Sequence, residues 1–274
     1  MKIIETGRAG LPSERGGRDN MENFEGIDLL GYTLPVYRIE YKRNPKTRND
    51  PSIKEGWFTS SLGEQKETLR CVILRGRASR VYWPPYNPNE ENPTPICKSN
   101  DAIRPSPDVE NPLSKECAVC PYAQWQEGKK PECALVYNLL CLDLDTGIPF
   151  VISAKRTSLK PLRNYLTRFK FRMIPTYAVE TIVKAKKIDT YYILDFTEGE
   201  ALRKQDIETV AKYAEDLADV FRKTDVTEVA EEDEEAMKDE TEEEDIKAEI
   251  EEEKEEKIEP QEKKFVQKDL FKEE

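Results

Sequence analysis

From Val226 to Glu274 the chain carries 23 acidic side chains against 8 basic ones, a net charge of −15. Apolar residues there are sparse. Such a segment cannot bury enough surface to offset a backbone entropy cost of about 1–2 kcal/mol per residue. Residues 226–274 therefore read as a disordered acidic tail, and whatever folds lies before it. The whole chain has a net charge of −12, so residues 1–225 are mildly basic, at +3. No apolar run approaches the roughly 20 residues that a membrane span needs. Glu5 to Asn23 is polar, without the apolar stretch of an export signal. A cytoplasmic protein with no membrane partner is expected.

The sequence contains no histidine. That excludes a Ser-His-Asp triad, a Cys-His pair and any His-ligated catalytic metal. A nuclease would need carboxylates to hold Mg2+. Asp143, Asp145 and Asp195 are candidates, but nothing pairs them with a base. An enzyme is not expected.

Residues 1–25 read as a flexible N-terminal arm and 26–225 as the folded domain. Tyr32–Tyr41 alternates like a strand, and Asn44–Asp50 is a basic loop. Leu69–Leu74 and Ala78–Trp83 are strand-like pieces around Gly76, and the prolines that follow break regular structure. Ala134–Leu144 and Phe150–Ser153, with Gly147 between them, form a hairpin. Thr157 or Ser158 caps a helix with Pro161 in its first turn. Leu159, Leu162, Leu166 and Phe169 give that helix one apolar face. Ala178–Lys187 and Thr190–Phe196 are two further strands. Leu202–Phe221 is a helix, with Ile207, Val210, Ala214, Leu217 and Phe221 at helical spacing. The fold class is β-rich α+β, with many short strands that suit a small barrel.

Cys97, Cys117, Cys120 and Cys133 follow the pattern C-x19-C-x2-C-x12-C. The C-x2-C spacing lets two thiolates share one tetrahedral Zn2+, and two distant cysteines complete the set. The proline-rich segment at about 84–133 has little with which to build a core, so one structural zinc would supply its folding energy. A redox pair would open a helix in a βαβ unit, and none is visible. Disulfides would require export. Cys71 and Cys141 sit in apolar runs and read as core thiols.

Positive charge gathers in two stretches. Val151–Thr190 holds ten Lys or Arg against two acids, including Lys155, Arg156, Lys160, Arg163, Arg168, Lys170 and Arg172, with Tyr165 and Phe171 among them. The second stretch holds Arg75, Arg77 and Arg80, then Tyr82 and Trp83, with Trp57 and Phe58 nearby in sequence. Bases that neutralise phosphates and aromatics that stack on unpaired bases suit a single nucleic-acid strand. An acidic tail tethered to such a surface competes with nucleic acid at high effective concentration. Its end carries Phe265, Val266, Leu270 and Phe271, and Phe265, Leu270 and Phe271 are candidate partner-docking residues.

With a basic-aromatic body, a four-cysteine segment and an acidic tail, the chain resembles the phage-type zinc-containing single-stranded DNA-binding proteins. The run Cys-Ala-Val-Cys-Pro-Tyr-Ala-Gln-Trp at 117–125, with Lys130-Pro131-Glu132-Cys133, carries part of that likeness. The resemblance implies an OB-fold core with an inserted zinc-binding subdomain. It further implies binding to single-stranded DNA without strong sequence preference, in replication, recombination or repair, and a tail that recruits polymerase, primase or helicase. The same cysteines also fit a zinc-ribbon transcription or assembly factor that docks on a protein.

Overall fold

Alternate residues of a strand face opposite sides of a sheet, so a run that is apolar at every position makes a strand covered on both faces. Residues 71–74, 139–142 and 150–152 are such runs, and all are buried. They form the centre of the sheet in the computed structural model, which describes residues 34–41, 51–85, 94–126 and 128–224. These residues belong to one unit, Met1–Glu232. The expected arm at 1–25, the basic loop at 44–50 and the acidic tail with Phe265, Leu270 and Phe271 lie outside the described residues.

The strands are β1 (Val36–Ile39), β2 (Phe58–Ser60), β3 (Gln65–Lys66), β4 (Thr68–Tyr82), β5 (Cys97–Ser99), β6 (Ala134–Asp143), β7 (Pro149–Lys155), β8 (Val179–Ile188) and β9 (Tyr191–Ala201). They join in the order β3-β2-β1-β7-β6-β4-β8-β9, and β5 pairs with the far end of β4. Only β1 and β7 run parallel among these pairs. Helix α1 (Leu159–Arg172) connects β7 to β8, and α2 (Lys204–Asp216) and α3 (Ala218–Lys223) follow β9.

The sheet curls into a half-barrel. Helix α1 touches both β7 and β9, although three strands separate them. Its buried Leu162, Tyr165 and Phe169 share one core with Tyr37, Phe58, Cys71, Ile73, Leu139, Phe150, Val183 and Phe196. Beyond β1, the Tyr41 hydroxyl donates to the Tyr192 carbonyl of β9 at 3.2 Å, and Lys187 lies 3.8 Å from Glu55. Side chains, not a further ladder, bring the two flanks of the curl together. The other face of the centre packs Val72, Leu74, Leu140, Leu142 and Val151 against Val210 and Ala214 of α2 and Phe221 of α3. Burying each such aliphatic chain contributes about 1.5–3 kcal/mol. None of the helices among the described residues is long and apolar enough to cross a membrane.

Three local expectations change. The two strand pieces around Gly76 are one 15-residue strand, β4. Gly76 does not break it: a Cβ there would lie 2.6 Å from the Tyr137 ring, so the glycine admits that ring. Irregularity falls instead between Ile73 and Arg75. The expected single helix over 202–221 divides at Leu217. Arg75 Nε donates to the Ala214 carbonyl at 2.8 Å, the acceptor that the Ala218 N–H would take in a continuous helix. Finally, Ser158 does not cap α1. Its hydroxyl accepts the Leu194 N–H of β9 at 3.0 Å, tying the helix start to the sheet.

Candidate functional site

Main-chain hydrogen bonds gather the four cysteines of the 97–133 segment. Cys97 lies on β5, opposite Tyr82. Asp101 accepts the N–H groups of Ile103 and Arg104 at 2.7 and 3.0 Å, folding the next loop back. Burial works against the charged form of Asp101, but those N–H groups outweigh it and hold the carboxyl below its ordinary range. The Ile103 carbonyl then takes the Cys117 N–H at 2.9 Å. Cys117–Val119 and Pro121–Ala123 are single 3-10 turns, and the Tyr122 carbonyl takes the Cys133 N–H at 2.8 Å. No disulfide joins any two of the six cysteines.

Cys97, Cys117, Cys120 and Cys133 line one cavity of ≈ 10 Å³, space for a single small atom. All four are buried. Burial pushes the Cys97 thiol up, opposed by a main-chain hydrogen bond from Leu113. Burial raises Cys133 to about 12, and the nearby Arg80 guanidinium opposes it. Four cysteines around one cavity supply the donor type and number that a tetrahedral thiolate site requires. As the side chains stand, no group of three or more Cys, Asp or Glu among the described residues is disposed to hold an ion.

Helix α1 carries five basic residues and no acidic one. At 100° per residue its outward line is Lys160, Asn164, Thr167 and Phe171, flanked by Arg163 and Lys170 on one side and Arg168 on the other. Lys160, Arg163, Arg168 and Lys170 are exposed, and Phe171 is 82% exposed. None of these four bases has an ion-pair partner among the described residues, whereas Arg172 is bound to Glu198 at 2.8 Å. Exposed Arg156 precedes the helix with φ 44° and Met173 closes it with φ 54°. For residues with a Cβ this left-handed conformation costs about 1–2 kcal/mol. Lys155, the last residue of β7, is half-buried.

The other expected contacts do not join this surface. Phe58 and Tyr165 are core residues, with 0% and 2% exposure and no ring face left for a base. Tyr165 instead shares a hydrogen bond with Thr181 at 2.8 Å and packs on Phe196. Trp83 is buried with Val81 and Val136. Arg75 and Arg77 lie on the α2 face: Arg77 donates to the Arg222 and Thr224 carbonyls at 2.6 and 2.9 Å and covers the Phe221 ring. Together with the bond from Arg75 to Ala214, these contacts neutralise helix C-termini. Arg80 reaches the Cys133 carbonyl at 3.2 Å, and so binds the cysteine segment to β4. Tyr82 stacks on Tyr122 and donates to Glu132. Trp57 is half-buried beneath Lys54, whose Nζ is 3.9 Å from the ring centroid. Sequence reasoning missed the exposure of Val119, next to Cys120 in sequence, and of Trp125, at 71% and 72%.

Two of the three candidate Mg2+ carboxylates, Asp143 and Asp145, have other partners. Asp143 pairs with Lys66 and accepts the Asp145 and Thr146 N–H groups, and Asp145 pairs with Arg70 at 3.3 Å. Neither a protein-family model nor a curated protein nor a solved structure matches this chain.

Proposed function

We propose that the protein binds single-stranded DNA without strong sequence preference, with the exposed face of α1 as its principal contact. The observation that carries the proposal is the acid-free helix, on which Lys160, Arg163, Arg168 and Lys170, without ion-pair partners among the described residues, lie around an exposed phenylalanine. Lys160, Arg163, Arg168 and Lys170 would neutralise phosphates and release counterions. Strand order supports an OB-like barrel: β7-β6-β4-β8-β9, with a helix between β7 and β8, follows the five-stranded order of that fold, with β1 added beside β7. In this reading Cys97, Cys117, Cys120 and Cys133 hold one structural Zn2+, which cross-links a segment that has little core of its own. The acidic tail competes with DNA for the basic face and recruits replication proteins such as a polymerase, primase or helicase. Phage replication, recombination or repair is the setting that the sequence resemblance supplies.

Titration of labelled oligo-dT with the full-length protein, by gel shift, tests the reading. Binding tighter than micromolar that weakens steeply with salt is expected; weak, salt-independent binding contradicts it. Metal analysis of the purified protein should give one zinc per chain. A second reading, a zinc-ribbon factor that docks on another protein, draws on the exposed Val119 and Trp125. It predicts tight protein capture and little affinity for bare strands.

A further inference from the structure

Phe171 and Met173 are the most exposed large apolar side chains among the described residues, at 82% and 90%. They lie two residues apart in sequence where α1 ends. The corner that carries them is firmly held. The Met173 N–H returns to the Lys170 carbonyl and the Ile174 N–H to the Phe169 carbonyl, each at 3.3 Å. Ile174 packs against the core. Arg172 is fixed between Glu198, at 2.8 Å, and the Phe169 ring, at 5.1 Å to the centroid. Glycine is the usual residue at a left-handed helix end, yet methionine occupies it here with φ 54°. A costly backbone position thus presents a bulky side chain to solvent.

The surroundings narrow the occupant. Arg168, Lys170 and Arg172 adjoin the corner, and the helix behind it has no acid. A partner with an anionic outside and an apolar interior complements that arrangement, and a stack of nucleobases has both. Methionine has no ring with which to stack on loose bases. Phe and Met side chains on a rigid mount do suit insertion at a base step, where apolar wedges unstack neighbouring pairs.

We infer that the Phe171–Met173 corner is a wedge that meets the end of a base stack at the junction between duplex and single strand, while α1 holds the emerging strand. The inference rests on the single-strand reading above but assigns this corner a role separate from the phosphate contacts: contact with the terminal base pair. Both side chains are exposed, so their removal leaves the core intact, and Met173→Gly also relieves the backbone.

The experiment compares the full-length protein with Phe171→Ala, Met173→Gly and the double variant on two probes, dT25 and a hairpin bearing a dT25 overhang. A 2-aminopurine at the terminal pair of the hairpin reports unstacking. The wild type should bind both probes and raise the fluorescence of the hairpin. Met173→Gly, outside the strand-binding face, should reduce that rise with dT25 affinity changed far less, and the double variant should lose the rise and bind the hairpin about tenfold more weakly, a loss within the range for one apolar base contact. Met173→Gly should melt at or above the wild-type temperature. Wild-type fluorescence and affinity in the double variant would overturn the wedge while leaving strand binding intact. A wild type that binds neither probe would overturn the single-strand reading and the wedge with it. A corner needed for binding phosphatidylserine vesicles but not the hairpin would overturn the wedge in favour of a lipid surface.

Discussion

Helices α1 and α2 do the same structural work on opposite faces of one sheet. Each presents one apolar side, Leu162, Tyr165 and Phe169 in α1, Val210 and Ala214 in α2. Their outer faces differ. That of α1 carries bases and no acid, whereas α2 mixes Lys204 and Lys212 with Asp206, Glu208, Glu215 and Asp216. Packing requires nothing of either outer face, so an acid-free one stands apart from the needs of folding. The ends differ as well. Arg75 holds the last turn of α2, while α1 ends in an exposed apolar corner.

The largest effects should come from the shared inner faces. Leu162→Ala should destabilise by about 3 kcal/mol and Val210→Ala by about 2 kcal/mol in urea unfolding. If either cost nothing, its helix would not be part of the core. The outer faces should then separate the two helices. Lys160→Gln, Arg163→Gln and Arg168→Gln together should weaken oligo-dT binding about tenfold or more without changing the melting temperature. Glu208→Gln with Glu215→Gln on α2 should leave binding within about twofold. Equal responses would erase the distinction. Arg77→Gln should cost about 1–2 kcal/mol of stability, since its guanidinium bonds α3 carbonyls, and leave DNA affinity unchanged.

The smallest expected effect is on pH dependence. Burial holds Tyr165 of α1 and Tyr213 of α2 above the ordinary tyrosine range, and Tyr165 further. A raised folded value means that the unfolded chain releases its proton first, near pH 10. The stability involved is complete below pH 10 and is lost as pH rises toward the folded value. Tyr165→Phe should therefore lose less stability than the wild type between pH 9 and 11 in urea titrations.

Much of this contrast is written in local spacing. Phe169 and Phe171 are two residues apart on a helix, so one turns inward and the other outward. Tyr165, three residues after Leu162 and four before Phe169, lies on the apolar face by the same rule. Its place among the expected base contacts followed its basic neighbours in sequence instead of the helix geometry. The hairpin of β6 and β7 was legible from two apolar runs around Gly147. Long-range partners were not legible. Arg75 and Arg77 meet α2 and α3 about 140 residues later in the chain, and nothing near them in sequence marks them as helix caps. Nor does composition reveal that Trp83 packs between strands while Trp125 faces solvent.

The central claim, that the outer face of α1 carries the phosphate contacts, is tested most directly by salt. Oligo-dT affinity of the full-length protein and of the Lys160, Arg163 and Arg168 triple glutamine variant would be measured from about 0.05 to 0.3 M NaCl. Each phosphate contact contributes roughly 0.7 to the slope of log K against log salt on single strands. Removal of three contacts should make the slope shallower by about 2. Parallel lines for the two proteins would place the strand elsewhere and contradict the account.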